Sequence, residues 1–584
     1  MVQAQEKKPR QAAAQVSDFK SGNEMAALSA KHINFHVMGY YPITPSTEIA
    51  ELLDEMKADG EHQIVMIPAD GEHGAAGLCY GASTGGGRVF NATSSQGLLY
   101  ALEQLPVQSA TRFPMVLDLV TRSVNGPLNI RGDHSDLYFT LNTGWIILLA
   151  REPQAVYDMN IIAVRLGERP EVRLPVIVAY DGFFTSHQSR RVNYFKDDQT
   201  VQEFIGPMAE TLTALDPRHP VTIGPYMNDP DLINNKYQLK LAMEAAQRAL
   251  PKVFAEYAAI SGRRYAPVDL YRMEDADVAL LLLNSAAETA KDVADRLREQ
   301  GVRAGVVSPN VIRPFPAQEL RDALRNVRAL VIGERADAYG AHGGNIAHEV
   351  KSALQEDPEN QTLCLSRIYG LGGKDFYDED AEHFFSLALA AADSGRVAVP
   401  FDYHGVTPGD PTKAPAKLGL PPLRKEETVT GLIKVHITED GAGLRVEAPP
   451  AWQLVTRAKR FAPGHGACPG CGIFPALDQF FKGIEGDVVV LYQTGCAMVV
   501  TTGYPYSSHR VTYIHNLFQN GASTLGGLVE MFHERLRRGE LPSGEEITFV
   551  MVTGDGGMDI GMGAAIGAAL RNHHMIIVEY DNQG

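Results

Sequence analysis

Short, continuous apolar runs separated by amphipathic stretches constrain this chain more than any other feature. The runs at 64–67, 115–120 and 174–179 each read as a strand buried on both faces. Helical spacing fills the gaps, as in 47–58 and 97–110. Strands alternating with helices imply a parallel sheet covered on both sides, so the fold class is multi-domain α/β. The pattern holds from about Phe19 to Pro251. It restarts with an apolar strand at 278–283, a helix at 286–300 and strands at 302–307 and 329–332, and opens a third time near Ala458. At 584 residues several cores are needed. The organisation read from these shifts is a disordered polar tail at 1–17, α/β domains at 18–255 and 265–393, a linker at 394–454 and a third α/β domain at 455–584. The linker is inferred from its prolines, Pro400, Pro408, Pro411, Pro415, Pro421 and Pro422.

Composition narrows the function classes. A formal charge of −17 lacks the basic footprint of nonspecific nucleic-acid binding. There is no run of about 18 uncharged apolar residues, as a membrane helix needs. Residues 1–15 are polar, with Lys7, Lys8 and Arg10, and have no apolar core like that of a secretory signal. Five cysteines in so long a chain fit a reducing compartment, and a cytoplasmic location is expected. The second domain shows no cluster of candidate catalytic groups and reads as scaffold or dimer contact.

Two motifs near the C-terminal end carry chemistry. Gly554-Asp555-Gly556 follows the apolar run 547–552 and precedes a small-residue helix, a strand at 575–580 and Asp581-Asn582. Glycines let a backbone approach phosphate, and a helix N-terminus offers free N–H groups. Asp555 and the Asn582 amide oxygen are hard ligands suited to Mg²⁺. A Gly-Asp-Gly alone is equally an ordinary strand-to-helix turn. With Asn582 standing 27 positions after Asp555, the segment resembles a thiamine-diphosphate-binding signature, which implies a metal contact from the Gly584 carbonyl. The second motif is Cys468-Pro469-Gly470-Cys471, with Cys496 25 residues later. Such a pair can be a redox dithiol or half of a zinc site. Together the three thiols can instead be three of the four ligands of an iron–sulfur cluster.

The chain as a whole resembles the 2-oxoacid:ferredoxin oxidoreductases, the pyruvate enzymes most of all. The third domain is similar to their β part through Cys468-Pro469-Gly470-Cys471-Gly472, Cys496 and the Gly-Asp-Gly segment. The first is similar to their α part through Tyr41-Pro42-Ile43-Thr44-Pro45-Ser46, Gly71-Glu72-His73-Gly74, Thr93-Ser94-Ser95-Gln96-Gly97 and Gly132-Asp133-His134. The resemblance implies transketolase-like, thiamine-diphosphate-binding domains. The pyrimidine side would lie at 18–255, a transketolase C-terminal-like domain at 265–393, and the diphosphate side with iron–sulfur ligands at 455–584.

It also implies roles. Glu72 would hydrogen-bond N1′ of the aminopyrimidine, Thr44 would touch the substrate's carboxyl end, and Arg122 would grip the carboxylate through its planar fork. Arg131 is the lesser choice for that grip. Gly554, Asp555, Gly556, Asn582 and Gly584 would hold diphosphate and Mg²⁺, and Cys468, Cys471 and Cys496 a [4Fe–4S] cluster whose fourth ligand lies outside this chain. Asp133, His134, Cys79 and Cys364 read as structural. The implied reaction is decarboxylation of a 2-oxoacid, pyruvate favoured over 2-oxoglutarate. Coenzyme A would take the acyl group, electrons would pass to ferredoxin, and reverse carboxylation is open. A non-oxidative lyase of the same fold would need no cysteine triad, and a degenerate scaffold subunit would not need Glu72, Asp555 and Asn582. No CxxCxxC segment and no small γ domain are seen, so a ferredoxin-like partner, a γ-type subunit, a chain carrying the rest of the third domain and a dimer of protomers are expected. The chain is expected not to work alone, its third sheet short of a strand and its cluster short of a thiolate.

Overall fold

The computed structural model describes residues 13–208, 214–215, 222–224, 229, 231–406, 457, 459–484, 486–502, 508–537, 539 and 547–581, with the backbone alone for 436–440 and 443–447. Two compact units divide the chain, Met1–Thr407 and Pro408–Gly584. The first unit opens with strands β1 (Gln15–Lys20), β2 (Val37–Tyr40), β3 (Val65–Pro68) and β4 (Val89–Thr93). After these come β5 (Val116–Thr121), β6 (Ile146–Leu149), β7 (Val176–Asp181) and β8 (Arg190–Phe195). A second group holds β9 (Val268–Tyr271), β10 (Val278–Leu281), β11 (Ala304–Pro309), β12 (Val311–Arg313), β13 (Ala329–Glu334), β14 (Leu363–Ile368) and β15 (Phe401–Tyr403).

The first sheet has the order β12-β6-β7-β5-β4-β2-β3 and is parallel except for β12. Strands β4 to β7 are buried at every position, because helices cover both faces; this is why they read as unbroken apolar runs. A capping box starts the helix Gly22–Ile33: Ser21 Oγ accepts the Glu24 amide, and Glu24 accepts the Ser21 amide. The single helix read over 97–110 is two, Ser95–Ala101 and Gln104–Ala110. Pro106 accounts for the break, since it has no N–H to continue the ladder and its ring crowds the carbonyl four residues back.

Three other stretches depart from the sequence reading, one of them the antiparallel pair His436–Asp440 and Gly443–Glu447 within the expected linker. Residues 15–17, expected in the tail, are half of β1, which pairs antiparallel with β8. Phe401–Tyr403, expected in the linker, adds a parallel strand beside β14. The second sheet runs β15-β14-β13-β10-β11-β9, parallel apart from β9. Its neighbour in sequence, β12, instead pairs with β6 in the first sheet, Val311 opposite Leu148. One apolar core accordingly contains Leu149 and Ile177 of the first sheet with Leu281 and Ile332 of the second.

One polar link between these sheets is Asp181, at the end of β7. Its carboxylate accepts the Ser285 amide (3.1 Å), the Ser285 hydroxyl and the Asn284 amide nitrogen (3.1 Å). His134 Nε2 lies 2.7 Å away and Arg335 Nη1 3.7 Å. Burial works to raise the Asp181 pKa, but His134, Arg335 and Ser285 hold it well below the usual carboxylate range.

In the second unit β16 (His436–Asp440) and β17 (Gly443–Glu447) form an antiparallel pair. Strands β18 (Asp487–Gln493), β19 (Thr512–Asn516), β20 (Ile547–Gly554) and β21 (Ile576–Tyr580) make a parallel sheet of order β19-β18-β20-β21. The helix after β20 spans Asp555–Leu570, so Asp555 and Gly556 form its first turn rather than a loop before it. Among the described residues no helix is long and apolar enough to cross a membrane.

Replacing Asp181 by Ala strips acceptors from buried donors and leaves Arg335 without its counter-ion. The substitution is expected to destabilise the first unit by about 3–5 kcal/mol, read as a lower urea midpoint.

Candidate active site

Parallel strands point their C-terminal ends the same way, and the loops that follow them converge. In the first unit β2 is followed by Tyr41–Ser46, β3 by Glu72 at the head of the helix Glu72–Thr84, β4 by 94–97 and β5 by Arg122. Sequence reasoning named one residue in each of three of these loops, and the fold brings all three together. Arg122 Nη1 donates to the Thr44 carbonyl at 3.0 Å, and Glu72 is close enough for its charge and that of Arg122 to act on each other.

Glu72 and Arg122 are 6% and 4% exposed, whereas Thr44 is exposed. Burial pushes the Glu72 carboxyl up to about 7, against its own backbone amide and the Arg122 charge. Burial also pulls Arg122 down to about 10, opposed by Asp136 and Glu72, which leaves it cationic at neutral pH. The backbone at Gly97 presses on the Glu72 carboxyl: a Cβ there would stand 2.6 Å from Oε1 and 2.7 Å from Thr93 Oγ1. An apolar pocket lies here, lined by Tyr41, Glu72, Thr93, Gln104, Met115 and Trp145 among others. Thr93 Oγ1 and Gln104 Nε2 are buried without a protein hydrogen-bond partner. Apolar walls, a poised carboxyl and orphaned polar atoms fit a flat, nitrogen-bearing ring such as an aminopyrimidine.

Sequence reasoning missed Asp136 and Asn129. Asp136 Oδ2 accepts both the Ser95 amide (2.8 Å) and the Arg122 amide (2.9 Å), and Oδ1 accepts the Leu137 amide (2.7 Å). One buried carboxylate thus ties the end of β4 to the end of β5. Burial raises its pKa to about 8, against those three amides. The only sequence signal was its place in Gly132-Asp133-His134-Ser135-Asp136. Of the residues read as structural, Asp133 caps Ser135 (3.0 Å) and His134 meets Asp181. Cys79 is buried, where desolvation pushes its thiol up to about 12, and Cys364 is pushed up to about 11. Arg131 turns its guanidinium onto the Phe183 ring, 4.9 Å from the centroid.

In the second unit Gly554 is the N-cap of the helix Asp555–Leu570, with Asp555 and Gly556 in its first turn. Gln493 Oε1 is buried without a partner, 3.1 Å from the point a Cβ on Gly557 would take. Tyr580, also missed, accepts the Ala497 amide at 3.1 Å; burial raises its pKa to about 12, with Cys496 and Asp555 adding to the rise. Asn582 and Gly584 lie outside the described residues. Cys468 and Cys496 are exposed and Cys471 half-buried, and none of the five cysteines is in a disulfide. The Gly466 amide donates to Val500, tying the Cys468 loop to the helix Cys496–Thr501. Among the described residues no three His, Cys, Asp or Glu side chains gather as a metal-holding group, so the cysteine triad is not assembled as a ligand set.

Comparison with known proteins bears on the first unit. Residues 29–255 match the thiamine-diphosphate-binding family model of pyruvate flavodoxin/ferredoxin oxidoreductases, and residues 276–381 match core domain II of pyruvate:ferredoxin oxidoreductase. The PorA subunit of pyruvate synthase from Thermotoga maritima is 38% identical over 369 residues, 63% of this chain and 93% of that subunit. The chain belongs to the 2-oxoacid:ferredoxin oxidoreductase family. Within this family, PorA of Pyrococcus abyssi is 33% identical over 66% of the chain and 96% of the relative. The ketoisovalerate oxidoreductase subunit VorA of Pyrococcus horikoshii is 31% identical over the same shares. A solved 2-oxoglutarate:ferredoxin oxidoreductase from Magnetococcus marinus overlaps 63% of this chain at 19% identity and TM-score 0.49, and the chain spans 65% of it. That overlap is too loose to speak to substrate.

The raised Glu72 pKa has a measurable sign. A folded carboxyl near 7 against 4.5 unfolded contributes stability below pH 4.5 and loses it as pH rises through 7. Glu72→Gln removes that loss. Its unfolding midpoint is expected to overtake the wild type between pH 4.5 and 7, the gap levelling above 7 at about 3 kcal/mol.

Proposed function

We propose that this chain carries out the thiamine-diphosphate-dependent oxidation of a 2-oxoacid with coenzyme A, passing electrons towards ferredoxin, and that its substrate is pyruvate. The observation that carries this is the meeting of Glu72, Arg122 and Thr44 at the ends of neighbouring parallel strands, beside an apolar pocket that Glu72 lines together with orphaned polar atoms. Bound thiamine diphosphate would supply the carbanion chemistry that releases carbon dioxide from the oxoacid. Glu72 would share a proton between its carboxyl oxygen and N1′ of the pyrimidine; a pKa of about 7 suits a group that must take and return that proton. Arg122 has Nε and one Nη1 hydrogen committed to backbone carbonyls, so the remaining hydrogens of Nη1 and Nη2 form the fork that would receive the carboxylate. The exposed Thr44 would stand at the substrate's carboxyl end.

The second unit would contribute Gly554, Asp555 and Gly556 to the diphosphate and Mg²⁺, with Asn582 and Gly584. The place of Asp555 and Gly556 in the first turn of the helix that follows β20 supports this assignment. Cys468, Cys471 and Cys496 would ligate a [4Fe–4S] cluster, a reading that rests on three accessible or half-buried thiols and on the family. Among the described residues the thiols are not gathered as a metal-holding group. Oxidation-sensitive thiolates of this kind suit a reducing, cytoplasmic setting. Ferredoxin and a γ-type subunit are the partners proposed, in a dimer of protomers. Pyruvate is favoured because the PorA relatives are named as pyruvate synthase subunits.

The test is anaerobic viologen reduction by the chain co-purified with its partner subunits, given thiamine diphosphate, Mg²⁺ and coenzyme A. Pyruvate is expected to reduce the dye faster than 2-oxoglutarate or ketoisovalerate, and the protein to be brown and to contain iron. Arg122→Lys, which loses the planar fork, is expected to raise the pyruvate KM by about 10–100-fold. Carbon dioxide release with no dye reduction, from an iron-free protein, would replace this reading with a non-oxidative lyase.

A further inference from the structure

Arg122 is held at three points. Asp136 takes its backbone amide at 2.9 Å and the Thr44 carbonyl takes Nη1 at 3.0 Å. The third anchor is the Asn129 carbonyl, which accepts Nε at 3.2 Å. Unlike the other two anchors, Asn129 is itself fixed from the second sheet. Its Nδ2 donates to the carbonyl of Gly372, in the turn Leu371–Gly373 that follows β14, at 3.1 Å. The Gly372 amide returns a bond to Asp133 Oδ2 at 3.0 Å, and Asn129 Oδ1 accepts the Arg131 amide at 2.7 Å. Both ends of the Asn129 side chain are therefore committed.

The approach is too close for any residue but glycine. Gly372 and Gly373 have φ of +63° and +79°, in the left-handed region. A Cβ on Gly372 would lie 2.5 Å from Asn129 Nδ2, and one on Gly373 2.3 Å from Arg131 Cβ. The second sheet meanwhile lacks an open ligand crevice of its own. Its strand order reverses at β10 and β13, where a doubly wound sheet ordinarily binds anions at helix N-termini. There Asp181 occupies the start of the helix Ala286–Glu299 through the Ser285 amide. Glu334 occupies the start of the helix Asn345–Gln355 through the Ile346 and Ala347 amides at 2.8 and 3.2 Å.

We propose that Asn129, set by the Gly372–Gly373 turn, is a positioning residue for Arg122, so that the second sheet takes part in binding the 2-oxoacid carboxylate. The inference rests on the reading of Arg122 as the carboxylate-binding group. Asn129→Ala keeps the backbone carbonyl but frees it from Gly372. In the holoenzyme with its partner subunits it is expected to raise the pyruvate KM about tenfold, leaving kcat within about twofold and thiamine-diphosphate affinity unchanged. Gly372→Ala is expected to raise KM similarly and to lower the thermal midpoint. In the double variant the methyl no longer meets Asn129 Nδ2, so the midpoint should recover in part, the left-handed φ still costing stability, while KM stays high and rises no further. A purely structural role would restore both together. Wild-type KM in Asn129→Ala, or a loss in kcat alone, overturns the proposal if Arg122→Lys raises KM; an unchanged KM in Arg122→Lys overturns the underlying reading instead.

Discussion

Backbone amides at the C-terminal ends of parallel strands have lost their ladder partners, and burying one unsatisfied costs about 1–3 kcal/mol. In the first unit buried carboxylates answer that demand. Asp136 serves Ser95, Arg122 and Leu137; Asp181 serves Ser285; Glu334 serves Ile346 and Ala347. Each joins segments distant in sequence, so satisfying the amides also sets the spacing of the loops. Ser95 is held at φ +47° while the Arg122 amide is drawn to the same carboxylate oxygen.

Desolvation then gives the site its chemistry. Glu72 and Arg122 carry opposite charges and are both buried, and burial moves their pKa values towards each other, one up and one down. The charge each presents to the other reduces the shifts without cancelling them. The result is an acid that holds its proton near neutrality beside a cation that keeps its own. Gly97 matters because it leaves the carboxyl room and little more.

The second sheet is built as a receiver. Its own anion positions are filled from within the protein, one by Asp181 of the first sheet and one by its own Glu334. It lends β12 to the first sheet and shares an apolar core with it. An apparently inert α/β block, read from sequence as scaffold or dimer contact, is on this geometry part of the wall behind Arg122.

The sequence by itself determined the α/β class and the positions of most strands, and it named Glu72, Thr44 and Arg122, which the fold places near one another. Those features are local: a run of apolar residues is buried wherever it lies, and a motif is read along the chain. Local reading erred where a single residue acts on its neighbours, as when Pro106 split a helix, or where a strand's partner is remote, as for Gln15–Lys20 against Arg190–Phe195 and for Phe401–Tyr403 beside β14. The CxxC pair is likewise legible along the chain, whereas gathering three thiols into one ligand set is not. Only the tertiary structure decided that Asp136 clamps two strand ends, that Asp181 plugs a crevice 103 residues further along at Asn284, and that Asn129 reaches 243 residues to Gly372. Such partners leave no periodicity in sequence, because the hydrogen bonds that select them exist only once the sheets have packed and water has gone.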